Sequence, residues 1–158
     1  MKKAVRIVNK IIPNSPLADF LITNKEVVKT ALKNKTDKNI ILISLLNCAF
    51  SFSFNTLQTL GKLFSAQDIV SRVALKKHLS KIYGGNRSTE NAIDSVIPMY
   101  LEAVFFKRPK AGLYEWTNPL YSSATIASVV YQESYKINNS ISETQDYQLM
   151  DPYYLFVQ

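Results

Sequence analysis

The chain has 158 residues, a formal net charge of +7 and a hydrophobic share of 47%. A chain of this length is expected to form one domain, with room for an extra arm, and to fold without a disulfide or a structural metal. Its one cysteine, Cys48, cannot form an internal bridge, which excludes a disulfide-stapled fold and favours a reducing, cytoplasmic compartment.

The charge is unevenly distributed. Residues 1–38 carry nine lysines and arginines against three acids, and residues 62–110 carry nine against four. Residues 39–61 carry no charge, and residues 111–158 carry one lysine against five acids. This positive field over two segments is expected for a polyanion partner, although a merely solvated lysine surface explains the charge equally well.

The charge-free run predicts a buried core helix rather than a membrane span. Its strongly apolar part, residues 40–54, has 15 residues, whereas spans need about 20. We therefore expect one helix over residues 37–64, bent near Asn55 or Gly61, and no membrane partner. The segment 51–54 alternates like a strand, but no turn signal separates it from its neighbours. A signal peptide is not expected, because charged residues and Pro13 interrupt the first apolar stretch.

The first 38 residues predict a basic arm. Residues 1–14 suit a short strand or a docked arm, and Ser15-Pro16 predicts the start of a short helix. Asn24 is expected to cap another helix. The polar run 34–38 predicts a loop.

The central segment, residues 65–116, predicts two helices. Ser65 and Asp68 form a capping pattern, and apolar residues follow at helical spacing. These are Ile69, Val70, Val73, Leu75, Leu79, Ile82 and Tyr83. Gly84-Gly85 then predicts a stop, since glycine adopts the left-handed terminal conformation without steric cost.

A second helix follows, with several caps available between Asn86 and Thr89. Its expected buried face consists of Ala92, Ile93, Val96, Ile97, Tyr100, Leu101 and Val104. Pro98 lies inside this pattern and predicts an early end or a kink near Val96-Ile97.

Two short strands are predicted next. They are residues 105–108 and 113–116, joined by the turn Pro109-Lys110-Ala111-Gly112. The order of helix, glycine turn, helix and basic hairpin resembles a winged helix-turn-helix domain. This resemblance covers about a third of the chain. It implies a mainly α fold with a small β-hairpin wing, in which a winged helix-turn-helix core has extra N- and C-terminal helices. The corresponding division is a basic arm at 1–38, a core at 39–121, and a C-terminal helix with an aromatic tail at 122–158.

The last segment predicts one more helix, capped by Ser122 or Ser123 and ended at residues 138–140. The apolar, aromatic tail 149–157 is expected to dock, either on its own domain or on another subunit.

Catalysis is not expected. His78 is the one histidine, so neither an acyl-transfer triad nor a zinc site can be assembled. The carboxylates Asp68, Glu90, Asp94 and Glu102 could suggest a magnesium cluster. However, Asp68 is explained as a helix cap, Glu90 as a first-turn dipole partner, and the other two as solvated side chains. No cofactor or metal is predicted.

The resemblance implies that the first turn of the second helix meets the major groove of DNA. The candidate contacts on this helix are Arg87, Ser88, Thr89, Asn91 and Ser95, with Arg87 as the principal one, since arginine can donate two bonds to guanine. The wing would contribute Lys107, Arg108 and Lys110, and the preceding helix Lys76, Lys77 and Lys81 against the flanking backbone. For each lysine, a solvated side chain without a specific role is the alternative. Tyr114 and Trp116 are expected to pack on the core.

These expectations define a DNA-binding protein without enzymatic activity. It would act as a transcriptional regulator or as the DNA-docking component of a larger system, and would bind paired half-sites if the tail or the first helices dimerise. The alternatives are a winged-helix adaptor for protein–protein interaction, with the acidic C-terminal part as partner surface, and RNA binding.

Overall fold

A computed structural model describes the backbone of residues 2–158 and side chains from Val5 onward. Helices α1 to α5 span Lys2–Ile11, Ala18–Thr23, Lys25–Ala31, Lys35–Ala49 and Ser51–Phe64. Strand β1 (Ile69–Ser71) precedes α6 (Arg72–Tyr83) and α7 (Arg87–Glu102), and β2 (Leu113–Glu115) precedes α8 (Thr125–Asn139). Two 3-10 helices, Asp146–Met150 and Pro152–Phe156, end the chain. The fold is mainly α with a small antiparallel sheet, as predicted.

The contacts group the described residues into two compact units. The first unit contains the residues up to Phe54 together with Tyr121–Thr144, and the second contains Asn55–Leu120 together with Gln145–Gln158. Helix α5 begins in the first and continues in the second. This grouping differs from the linear division at residues 38 and 121, which remains a prediction.

In the first unit, α4 packs along α8, α3 also packs on α8, and α1 packs on α4. The core between them contains Ile40, Ile41, Ala127, Val130 and Tyr131, each no more than 2% exposed. Lys2–Ile11 is thus a docked helix rather than a strand, because its apolar residues recur at helical spacing.

The predicted loop 34–38 is wrong. Asn34 is the N-cap of α4, and its side-chain oxygen accepts hydrogen bonds from the backbone N–H groups of Thr36 and Asp37 at 2.9 and 3.1 Å. The polar run is therefore the first turn of a helix, where capping residues and acids are favoured.

The expected serine cap of α8 is also wrong. The N-cap residue is Ala124, which has no capping side chain. Instead, the carboxylate of Asp37 accepts hydrogen bonds from the backbone N–H groups of Ser123 at 2.8 Å and Ala124 at 3.1 Å. Asp37 is 1% exposed, so a buried acid of α4 supplies the cap that α8 lacks.

The predicted helix 37–64 is divided at Phe50, whose extended backbone (φ −138°, ψ 102°) separates α4 from α5. Beside this break, the hydroxyl of Ser53 donates to the side-chain oxygen of buried Asn47 at 2.6 Å. The alternating residues 51–54 are helical, as expected. Among the described residues no single helix is long and apolar enough to cross a membrane, and only the broken pair α4–α5 meets both criteria when taken together.

In the second unit, the predicted helix from Ser65 begins later. The hydroxyl of Ser65 donates to the carbonyl of Gly61 in α5 at 2.9 Å, so this serine closes the preceding helix. Residues 69–71 form β1 instead, and Ser71 caps α6 by accepting from the N–H of Ala74 at 3.1 Å. On α6, Leu75 and Leu79 are buried as expected. Val73 and Ile82, also assigned to its apolar face, are 77% and 58% exposed.

The turn between α6 and α7 follows the prediction. Gly84 has φ 86°, and the side chain of Asn86 accepts from the N–H of Thr89 at 3.0 Å. Ile93, Val96, Ile97 and Tyr100 are buried on α7, whereas Val104 is 46% exposed.

Helix α7 does not end early at Pro98. Pro98 lies on the exposed side, where the carbonyl left without its helical partner can bind water. The helix ends in a Schellman motif: the N–H groups of Phe105 and Val104 bond the carbonyls of Tyr100 and Leu101 at 3.0 and 3.1 Å. Val104 takes the left-handed position, with φ 62°.

The hairpin is smaller than predicted. Residues 105 and 106 form no strand, and Lys107 makes a single antiparallel bridge with Glu115. The main partner of β2 is β1, with Val70 opposite Tyr114. Phe105 and Phe106 are instead buried, and their rings lie 6.0 and 6.2 Å from that of Tyr100. Phe105 and Phe106, which were predicted to lie in the first strand, therefore pack in the core instead.

The aromatic tail docks on its own unit. Tyr153, Phe156 and Val157 are buried, and Val157 forms a parallel bridge with Leu120. An added Cβ at Gly61 of α5 would lie 2.0 Å from the carbonyl oxygen of Pro152, so the tail backbone lies directly against this glycine.

Candidate nucleic-acid interface

The first turn of α7 exposes three of the predicted contacts. Arg87, Ser88 and Asn91 are all exposed, and Asn86 holds the turn through its cap. The N-terminal end of a helix carries partial positive charge on its N–H groups, which suits phosphate oxygens. This turn therefore combines a cation, a hydroxyl and an amide with a helix end that favours anions.

Thr89 has a different role from the one predicted. It is 4% exposed, and its hydroxyl donates to the carbonyl of Gly84 at 2.8 Å. The side chain thus fastens α7 to the glycine turn instead of facing a ligand. Ser95 is exposed, and its hydroxyl donates to the carbonyl of Asn91 at 2.8 Å, one turn back along the helix.

Two ion pairs join α6 to α7. The guanidinium of Arg72 donates to the carboxylate of Asp94 at 2.7 Å, and the ammonium of Lys76 binds the carboxylate of Glu90. Lys76 therefore forms an ion pair with Glu90, whereas the sequence predicted it as a contact to the DNA backbone. The sequence does not single out Arg72, because a helix predicted from Ser65 does not place this residue at the first position of α6.

The charges around Glu90 act together. Its pKa is lowered first by the hydrogen bond and charge of Lys76, and further by the charges of Arg72 and Arg87. The hydrogen bond that the Arg72 guanidinium donates to Asp94 raises the pKa of Arg72. Asp94 and Glu90 of α7 therefore each have a cation of α6 beside them, which offsets their negative charge.

The wing residues Lys107, Arg108 and Lys110 are exposed. The backbone N–H of Arg72 donates to the carbonyl of Gly112 at 2.8 Å, which fixes the base of the wing to the start of α6. Gly112 has φ 76° in the turn that leads back into β2.

Tyr114 of β2 lies opposite Val70 of β1, and its ring lies 5.5 Å from that of Phe106. Burial raises the pKa of its phenol, while the charges of Arg72 and Arg108 lower that pKa. The charge of Asp94 raises this pKa as well, so charges from the wing, α6 and α7 all act on the Tyr114 phenol. Lys77 and Lys81 are exposed on α6, one helical turn apart. Tyr114 itself is buried, as expected.

Other chemistry has little support within the described residues. They contain no cluster of three or more histidine, cysteine, aspartate or glutamate side chains that could hold a metal. The Nδ1 atom of His78 lies 2.9 Å from the carbonyl of Ala74 in its own helix. Burial, and then the charge of Glu133, raises the pKa of the Cys48 thiol to about 12, so this thiol stays protonated at neutral pH.

Compared with known proteins, the chain matches no family model, no curated protein and no solved structure.

Proposed function

We propose that this chain binds duplex DNA, with the first turn of α7 in the major groove and the segment 107–112 as the wing. The observation that carries the proposal is the pairing of Asp94 and Glu90 with Arg72 and Lys76. Because these acids are paired, Arg87, Ser88 and Asn91 are the exposed polar side chains at the start of α7 that can contact DNA. Arginine and asparagine are the side chains that read guanine and adenine by paired hydrogen bonds.

The arrangement of the second unit supports the winged helix-turn-helix resemblance. Two helices joined by a glycine turn are followed by a basic turn between residue 107 and β2, and β1 adds a further strand. The contact between Arg72 and Gly112 holds the wing beside α6. In this arrangement Arg108 and Lys110 would contact phosphate or the minor groove, while Lys77 and Lys81 would contact the flanking backbone.

The role that follows is a transcriptional regulator or a DNA-docking component of a larger system. The adaptor reading is the second candidate, and one observation favours it: Val73 and Ile82 of α6 are exposed apolar residues that a protein partner would cover. Against it, the docked tail leaves Arg87, Lys107, Arg108 and Lys110 exposed.

The test is fluorescence anisotropy with a labelled mixed-sequence duplex over a salt series. Contact with about five phosphates gives a slope of log affinity against log salt of about −4 to −5. Arg87→Ala should reduce discrimination between sequences, and Arg87→Lys should not restore it, since a lysine cannot make the paired contact.

Lys110→Ala should weaken binding to all sequences alike and reduce the slope by about one. Lys33→Ala removes an exposed lysine from the first unit and serves as the matched control. Absence of binding at low salt would exclude the proposal. If Lys110→Ala and Lys33→Ala changed the affinity equally, the wing would not be part of the DNA contact. Competition with duplex RNA of equal length distinguishes DNA from RNA.

A further inference from the structure

We propose that this chain assembles head-to-tail with copies of itself, the exposed apolar stripe of α1 on one copy covering the exposed acidic and apolar surface near the C-terminus of the next. The α1 stripe is defined by Val5, Val8 and Ile12. The tail surface is defined by Asp146, Tyr147, Leu149 and Met150. Neither surface is part of the proposed DNA contact, so the assembly can be tested independently of DNA binding.

Helix α1 has two apolar faces. Ile7 and Ile11 are half-buried, and the helix packs on α4. The stripe of Val5, Val8 and Ile12 repeats at intervals of three and four residues, and these side chains are 53%, 51% and 48% exposed. The N–H of Ile12 bonds the carbonyl of Val8 at 3.0 Å, so Ile12 continues the last turn. A helix with a second apolar stripe at this spacing is suited to a further packing partner.

The tail surface exposes still more apolar area. Tyr147 is 72% exposed, Leu149 47% and Met150 85%. Leu149 and Met150 also line a cleft of about 190 Å³, together with Ser65, Tyr154 and Leu155. Exposed apolar side chains beside an open cleft mark a surface that an apolar partner can cover.

The tail surface is held in place before any partner arrives. The N–H of Gln145 donates to the side-chain oxygen of Gln148 at 2.8 Å in a capping box around the first 3-10 helix. The amide of Gln58 donates to both carboxylate oxygens of Asp151, at 2.8 and 3.0 Å. A preorganised surface loses little conformational entropy on binding, which favours docking.

The two surfaces are complementary in charge. Arg6 and Lys10 are exposed on α1, which has no acid, and the carboxylate-bearing Asp146 is exposed on the tail surface. DNA would accept the cations of α1 but not its apolar stripe. An anionic lipid surface would cover α1 and leave the tail surface exposed. A second copy covers both surfaces at once, which favours it as the occupant.

Such a contact is heterologous, because each copy presents two different surfaces, and it closes into a ring or extends into a filament. This predicts a mass that rises with concentration and falls with added salt, measured by sedimentation velocity without DNA.

Two neutral double variants separate the surfaces. Val5→Ser with Val8→Ser removes the α1 stripe, and Tyr147→Ser with Met150→Ser removes the tail surface. Each variant alone should associate at least about tenfold more weakly than the natural chain. Mixing the two should restore a one-to-one dimer, since the intact α1 of one variant meets the intact tail surface of the other. The altered side chains are exposed, and unchanged thermal unfolding confirms that both variants fold.

A charge exchange provides a second measurement. Arg6→Glu should weaken assembly, and adding Asp146→Lys in the same chain should restore it. The proposal is overturned if the tail variant assembles as well as the natural chain, which indicates contact of α1 with α1. It is also overturned if the natural chain stays monomeric at every concentration, whether or not α1 then binds vesicles of anionic phospholipid.

Discussion

The guanidinium of Arg72 donates to the carboxylate of Asp94 at 2.7 Å, joining the first residue of α6 to the middle of α7. The carboxylate is 61% exposed, so as a surface ion pair it contributes only about 0–1 kcal/mol to stability. In the proposed DNA complex, this pair would offset a negative charge on α7 that would otherwise repel the phosphate backbone.

The Asp94→Asn variant tests that role. If α7 faces DNA, removing this negative charge should raise affinity about threefold to tenfold, because repulsion falls and Arg72 is released toward phosphate. Anisotropy with a labelled duplex measures it. Glu133→Gln is the matched control, since Glu133 is also an acid paired with a cation, Lys136 at 2.7 Å, but lies in the first unit. Equal affinities for both variants and the natural chain would remove α7 from the interface.

Asp37 should be a major source of stability in the first unit. Asp37→Ala leaves the N–H groups of Ser123 and Ala124 without their acceptor and should lower the free energy of unfolding by about 2–3 kcal/mol. Asp37→Asn keeps one acceptor oxygen and should cost roughly half as much. Urea unfolding measures both, with exposed Asp19→Ala as the control. A loss no greater than that of Asp19→Ala would show that α8 needs no cap from α4.

Gly61 should tolerate no side chain. The Cβ of Gly61→Ala would lie 2.0 Å from the carbonyl oxygen of Pro152, so the tail must shift, at a cost of about 1–3 kcal/mol. Limited proteolysis should then cleave the tail faster than in the natural chain. At Gly85 the nearest atoms to an added Cβ are 3.9 Å away. Gly85→Ala should therefore leave both the free energy of unfolding and the rate of tail proteolysis unchanged. Equal behaviour of the two variants would contradict the observed packing of the tail on α5.

Val104 is expected to be a poor residue for its position. A left-handed backbone costs a residue with a side chain about 1–2 kcal/mol, while glycine loses about 0.5–1 kcal/mol more entropy on folding. Val104→Gly should therefore stabilise the chain by about 0.5–1 kcal/mol in thermal or urea unfolding. The same change at Val73, an exposed residue of α6, should instead destabilise it. Destabilisation by both would indicate that α7 does not end in the left-handed turn.

Local patterns predicted the second unit well where a strong local preference and the tertiary structure agree. Gly84 and Asn86 correctly predicted the glycine turn and the start of α7. A glycine with positive φ and an asparagine cap are strong local preferences, and the tertiary structure does not oppose them here. Ser65 and Val70 were placed in a helix, since a capping pattern and a short apolar run look alike in helix and strand. Pairing with the distant Tyr114 decides for the strand, and no local pattern contains that information.

The candidate site was predicted only in part for the same reason. Arg87, Ser88 and Asn91 follow from the position of the helix start, and the exposed wing cations follow from the turn residues. Thr89 looked equivalent to Ser88 in the sequence, yet its hydroxyl is taken by the carbonyl of Gly84. Arg72 and Asp94 are 22 residues apart, so their pairing required the packing of α6 on α7.

The most direct measurement places a photo-cross-linking side chain at Ser88, in the first turn of α7, and in a separate variant at Thr125, an exposed residue in the first turn of α8. Both variants are irradiated with a labelled duplex at a salt concentration where the chain is bound. If α7 faces DNA, we expect cross-linking to DNA from position 88 and little or none from position 125. Cross-linking from position 125 with none from position 88 would contradict a DNA-facing α7.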